Sequence, residues 1–253
     1  MPRDGHGGNT VAMTAQSRPP ILVTRPEPQA ERFARALRAQ DWAGRVHVSP
    51  LMAAVYPPLS LPARPFDAVI LTSETTALAA GRRPDLPRKA WCVGNRTARA
   101  ARAQGFQAVS ARGDADALVQ MILARGGHGP LVYLHGRETR GAVAERLNSA
   151  GIETIPVLAY AQEPCPLRPA AIRLLRQPGP VILPILSPRS AALLCQAWVN
   201  ARAVAQAHVV VLSPAIAQAA EPLRPASVTL ATRPDGESLL AALKQLMRRA
   251  PWA

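Results

Sequence analysis

Two stretches, Phe66-Asp-Ala-Val-Ile-Leu-Thr-Ser73 and Pro180-Val-Ile-Leu-Pro-Ile-Leu-Ser187, echo one another. Each is a short apolar run that ends in a hydroxyl residue. A continuous apolar, β-branched run marks a strand buried on both faces, as in a parallel sheet covered by helices, whereas strict alternation marks a half-exposed one. The echo continues downstream. Ala90-Trp-Cys-Val-Gly94 answers to His208-Val-Val-Val-Leu-Ser213, and Val109-Ser-Ala-Arg-Gly-Asp-Ala-Asp-Ala-Leu118 resembles the segment from Val228 to Leu239. Ile21-Leu-Val-Thr-Arg25 has its counterpart in Leu131-Val-Tyr-Leu-His135. Similar offsets imply two similar α/β units.

Outward from these motifs the same grammar recurs. Strands are expected at 21–24, 68–71, 90–93, 108–110, 131–134, 152–158, 181–186, 208–212 and 227–231. Helical patterns lie between them at 27–40, 95–104, 114–125, 139–150, 188–200 and 235–249. In the first of these Ala30, Phe33, Ala34 and Leu37 share one helical face. Repeated strand–helix alternation means a doubly wound α/β architecture. Two proline-bearing extended segments, 46–58 and 155–166, stand outside the repeat and read as crossings between the units.

The 253 residues are 48% hydrophobic and 18% charged, a globular composition able to bury a large core. Thirty Lys and Arg against 16 acids give a formal charge of +14, and only Lys89 and Lys244 are lysines. Such a charge suits a polyanionic partner. Aromatics are only 4% and do not interleave with the arginines, so bases would find little to stack on and nucleic acid is not the expected partner. No apolar stretch is long enough to span a membrane. Residues 1–18 are polar, lack a signal-peptide apolar core and read as a disordered leader. Cys92, Cys165 and Cys195 are few, odd in number and far apart. They suggest neither a disulfide framework nor a metal site, and a cytoplasmic location is expected.

Ligands of open α/β sheets bind beyond the carboxyl ends of the strands. Those ends read Thr24-Arg25, Thr72-Ser73, Gly94-Asn95-Arg96-Thr97, His135-Gly136-Arg137, Ser187-Pro188-Arg189 and Ser213-Pro214. Hydroxyls, glycines and arginines recur there, and arginine offers a two-pronged fork for carboxylate or phosphate. Serine and threonine are also ordinary helix caps, so Ser73, Ser187 and Thr97 admit both a capping and a binding role. His135 is a candidate acid or a structural residue, and Tyr160 either packs a junction or faces a ligand. No dinucleotide fingerprint, Walker loop, nucleophile elbow or His-Glu-x-x-His motif occurs.

The motifs in their order resemble the uroporphyrinogen-III synthase family. They are Ile21-Leu-Val-Thr-Arg-Pro26, Phe66 to Ser73, Val93-Gly-Asn-Arg-Thr-Ala98, and Leu131 to Gly136. Leu147-x-x-Ala-Gly151, Val157-Leu-Ala-Tyr160 and Leu186-Ser-Pro188 continue the series, and the likeness spans about residues 20–248. It implies two doubly wound parallel-sheet domains joined by a two-stranded connector, with a ligand cleft between them. Domain 1 would be 19–43 plus 163–249, domain 2 would be 52–155, and the connector 44–51 and 156–162. The implied reaction closes hydroxymethylbilane, which carries eight carboxylates, to uroporphyrinogen III. Water is lost and ring D is inverted through a spiro intermediate, with no cofactor. The resemblance makes Tyr160 the candidate proton donor. It places Arg25, Thr72, Ser73, Gly94, Thr97, Gly136, Arg137, Arg140, Ser187 and Ser213 along the substrate. A monomer is expected, with a transient contact to the bilane-producing enzyme. In Leu212-Ser-Pro-Ala-Ile-Ala217 this chain departs from the family pattern. Ser213 stands where glycine is usual and Ile216 where threonine is usual. That departure keeps open an alternative, a divergent non-catalytic binder of a small polyanion.

Overall fold

A computed structural model of the chain describes residues 18–39, 45–125, 128–139 and 141–249. Apart from Arg18, the expected leader lies outside the described residues. The chain divides into two compact units, one formed by Met1–Leu51 with Cys165–Ala253 and the other by Met52–Pro164.

The second unit holds a six-stranded sheet. Its strands are β3 (Met52–Val55), β4 (Ala68–Leu71), β5 (Lys89–Cys92), β6 (Gln107–Ser110), β7 (Leu131–Gly136) and β8 (Thr154–Pro164). Their order across the sheet is β3-β8-β7-β4-β5-β6, parallel except for β3. Alternate side chains go to opposite faces. Val69, Leu71, Cys92, Val132 and Leu134 meet α2 (Glu74–Ala80) and α3 (Asn95–Ala103). Ile70, Trp91, Leu131 and Tyr133 meet α4 (Ala115–Ala124) and α5 (Val143–Ser149). Burial on both faces explains why these strands read as unbroken apolar runs.

The first unit repeats the plan with five strands. They are β1 (Ile21–Val23), β2 (Val46–Val48), β9 (Pro180–Ile185), β10 (Gln206–Val211) and β11 (Ser227–Leu230), all parallel in the order β11-β10-β9-β1-β2. One face packs on α6 (Pro169–Leu175), α7 (Pro188–Ala201) and α8 (Pro214–Ala219). The other packs on α1 (Gln29–Arg38) and α9 (Gly236–Arg249). Set beside β6-β5-β4-β7-β8, this order puts β9 in the place of β4, β10 in that of β5 and β1 in that of β7. The sequence repeat pairs the same segments.

Three boundaries differ from the expected pattern, each for a backbone reason. Helix α1 starts at Gln29 rather than 27, because a residue before proline is driven out of the helical region and Glu27 precedes Pro28. Helix α5 starts at Val143 rather than 139, because Gly141 (φ +85°) and Ala142 (φ +45°) are left-handed. The expected strand 152–158 and the end of the crossing segment are one strand. β8 pairs in parallel with β7 along its first part and antiparallel with β3 along its last. In the expected connector, β2 lies in 44–51 as a parallel neighbour of β1 and residues 156–162 lie inside β8.

Candidate functional site

In each unit the chain builds the sheet outward from one strand and then returns to its other side. The point where the direction reverses opens a crevice at the carboxyl edge. In the second unit that point lies between β4 and β7. Leu71 is paired with Leu134, so the following Thr72 and Ser73 lie at the level of His135 and Gly136. Gly136 pairs in turn with Tyr160 of β8, across a register irregularity between His135 and Gly136. In the first unit the reversal lies between β1 and β9, where Arg25 and Ser187 follow the strand ends. Gly94, Thr97 and Ser213 stand one strand further out.

Ser73 and Ser187 are caps. Ser73 Oγ accepts the Thr76 N–H at 3.0 Å, and Thr76 Oγ1 accepts the Ser73 N–H at 3.1 Å. Ser187 Oγ accepts the Ser190 N–H at 3.1 Å. Ser213 caps α8 with its backbone alone and Gly94 does so for α3, leaving no side-chain acceptor on either first turn. The extended backbone of Gly94 (φ −145°) would accept any residue.

Thr97 and Ile216 hold the same place, the third residue of α3 and of α8, and each is only 4% exposed. Both side chains face the core. Isoleucine where threonine is usual therefore stands at a buried position, packed in the core of the first unit. The backbone N–H of Thr97, not its side chain, belongs to the exposed first turn.

Tyr160 is half-buried, and its ring lies across Gly136. A Cβ placed on Gly136 would stand 2.7 Å from Tyr160 Cζ and 2.9 Å from the phenolic oxygen. The Arg137 N–H donates to the Tyr160 carbonyl at 3.0 Å, while the Arg137 guanidinium donates to Glu163 Oε1 at 2.7 Å. That fork is exposed but already engaged. His135 Nδ1 lies 2.8 Å from the Gly136 carbonyl oxygen, a structural contact. Arg25 sits with its guanidinium carbon 5.9 Å from the centre of the Phe33 ring. Arg140 lies outside the described residues.

Three residues at this edge were not singled out as site residues from the sequence. Tyr133, almost fully buried, lies beside Thr72. Burial pushes its phenol up, the adjacent Thr72 side chain pulls it down, and the nearby Tyr160 pushes it up again. Its signal is its place three residues before Gly136, on a strand that ends at the reversal. Arg96, in the first turn of α3, and Arg112, just beyond β6, are exposed and have no ion-pair partner among the described residues. Arg112 is left-handed (φ +57°). Cys92 is fully buried, and burial pushes its thiol up to about 12, so it offers no nucleophile. Among the described residues no cluster of His, Cys, Asp and Glu could hold a metal ion, and no helix is long and apolar enough to cross a membrane.

Fold and edge together define a class: a protein of two mostly parallel α/β units, each with a serine-capped helix at its reversal point and, one strand further out along the same carboxyl edge, a helix whose first turn has no side-chain cap. A family model described as Uroporphyrinogen-III synthase HemD matches residues 31–241. The chain belongs to the uroporphyrinogen-III synthase family, and it is a lyase of tetrapyrrole biosynthesis. A uroporphyrinogen-III synthetase of Helicobacter pylori 26695 has the same fold, with TM-score 0.59 at 17% identity over 90% of this chain and 99% of that one. A mutant uroporphyrinogen III synthase of the extremely thermophilic bacterium Thermus thermophilus is 16% identical over 92% of this chain and 100% of that chain, with TM-score 0.44. A further Thermus thermophilus uroporphyrinogen III synthase is 18% identical over 90% and 98%, with TM-score 0.33. No curated protein sequence matches. Nothing found supports the non-catalytic alternative.

Proposed function

We propose that this chain closes hydroxymethylbilane to uroporphyrinogen III, with Tyr160 as proton donor and the carboxyl edges as the carboxylate-binding surface. The observation that carries this reading is the position of Tyr160, whose ring tip lies over Gly136 beside the β4/β7 reversal. From there the phenol gives its proton to the departing hydroxyl, the C–O bond breaks and water leaves. The cationic carbon then meets the substituted position of ring D. The family resemblance supplies the spiro intermediate and the inversion of that ring.

The substrate cyclises unaided to the non-inverted isomer, so most of the enzyme's task is to hold it in one geometry. Eight carboxylates need many donors. Arg25 beyond β1, Arg96 and the free amides of the α3 first turn, and Arg112 beyond β6 supply fixed positive charge. Thr72, Gly136 and Ser213 contribute backbone or hydroxyl donors at the same edges, while Ser73 and Ser187 shape them as caps. Arg137 contributes by releasing Glu163. The protein acts as a monomer in the cytoplasm, where its three unpaired thiols stay reduced.

The test is Tyr160→Phe, which removes one oxygen. General acid help is roughly 10²–10⁴-fold, and the low end is expected because the substrate ionises readily and water can stand in. A variant with unchanged kcat and an unchanged share of type III product would remove Tyr160 from the chemistry.

A further inference from the structure

We propose that Gly136 is a positioning residue for Tyr160, kept free of a side chain so that the ring can rest across its Cα. This rests on the reading of Tyr160 as proton donor. Glycine is commonly needed for a left-handed backbone, but Gly136 is not among the positive-φ glycines of the described residues, which are Gly105, Gly141, Gly151 and Gly179. What it provides is space, and that space is filled by one group. A Cβ at Gly136 would lie 2.7 Å from Tyr160 Cζ, 2.9 Å from its oxygen and 3.0 Å from Cε1. All three atoms belong to the hydroxyl end of the ring.

The strands cannot drift apart to make room. The Arg137 N–H is bonded to the Tyr160 carbonyl at 3.0 Å, and β7 and β8 are paired all the way from Leu131 and Thr154 to Gly136 and Tyr160. The Gly136 carbonyl is engaged by His135 Nδ1 at 2.8 Å. The register irregularity does the placing: His135 pairs with Leu158 but Gly136 pairs with Tyr160, so Ala159 is passed over. Bulges re-aim a side chain in this way. A methyl at 136 therefore displaces the ring, and the atom displaced furthest is the phenolic oxygen. Proton transfer requires a donor within about 3.2 Å of its acceptor, so a swing of that tip disables the acid and leaves carboxylate binding in place.

The experiment is a double-mutant cycle of Gly136→Ala and Tyr160→Phe, read as kcat, KM and the share of type III product. Gly136→Ala is expected to lower kcat about as much as Tyr160→Phe, with KM within about twofold of the parent, and the double variant to be no slower than the worse single one. Losses that multiply in the double variant, or a fully active Gly136→Ala, overturn the proposal while the Tyr160 reading stands. A silent Tyr160→Phe overturns both, and marks the failure as that of Tyr160. Should Gly136→Ala fold poorly, melting curves decide. The cost of the methyl should vanish in a Tyr160→Ala background, because the ring it meets is gone. An equal loss of melting temperature in both backgrounds contradicts the proposal.

Discussion

Ser73 separates what caps a helix from what touches substrate. Its hydroxyl accepts the Thr76 N–H at 3.0 Å, and Thr76 returns the bond to the Ser73 N–H at 3.1 Å. Ser73→Ala breaks one half of that box and costs about 1 kcal/mol. For a protein of this size that lowers the melting temperature by roughly 2–4 °C. Because the oxygen is spent on the cap, kcat/KM should stay within about twofold, the equivalent of ~0.4 kcal/mol. Ser73→Asp tests the edge itself. Aspartate caps as well as serine, so stability should return to that of the parent. It also plants a negative charge at the reversal point. Against a substrate carboxylate held about 6 Å away, the repulsion is roughly 0.7 kcal/mol in water and ~2.8 kcal/mol at an effective dielectric constant of 20. KM should therefore rise roughly 3- to 100-fold. The assays are thermal melting by circular dichroism and steady-state kinetics on hydroxymethylbilane. An Asp variant with the parent's KM would refute carboxylate binding at this edge. An Ala variant that melts like the parent but loses activity would refute the capping account.

Arg25→Ala should lower kcat/KM roughly 10- to 150-fold, the value of a lost charged hydrogen bond of about 1.5–3 kcal/mol. Arg83→Ala should show its effect in melting instead, because Arg83 holds Asp85 at 2.6 and 2.8 Å and the Leu59 carbonyl at 2.7 Å; equal kinetic losses would remove Arg25 from the site. Ile216→Thr should destabilise by about 1–3 kcal/mol through a hydroxyl buried in the core, without raising activity. A faster variant would restore a substrate role to that position. His47 and His208 are held below the usual 6.5, chiefly by burial. As pH falls below about 6.5 the unfolded chain takes up protons that the folded chain refuses, so stability drops toward acid. Melting between about pH 7.5 and 5.5 should show that slope, shallower in His208→Asn; an identical slope would free His208 of the effect.

Much of the fold was legible because burial on both faces leaves unbroken apolar runs such as Ala68–Leu71 and Pro180–Ile185. The repeat was legible for the same reason, and it pairs β1 with β7 as the sheets do. Short helices were less legible: α6 and α8 span seven and six residues, too few for a helical period to show. At the site, residue type and strand-end position picked out Arg25, Ser73 and Gly136, and the family resemblance added Tyr160. Neither can tell a capping oxygen from a free one, which is decided by local bonds at Ser73 and Ser187. Nor can they tell an inward residue from an outward one in a helix's first turn. The resemblance named Thr97, whose side chain is buried, while its neighbour Arg96 is exposed. Tyr133 was missed because a strand tyrosine reads as core, and it is indeed buried, beside Thr72.

The most direct measurement incubates the purified protein with hydroxymethylbilane, oxidises the products and separates the uroporphyrin isomers by chromatography. The substrate alone closes to type I, so the ratio of isomers reports control of ring D rather than mere cyclisation. The account predicts that type III dominates at catalytic amounts of protein, and that the type I background grows in Arg25→Ala and Tyr160→Phe. Type I as the only product, at any amount of folded protein, would contradict it.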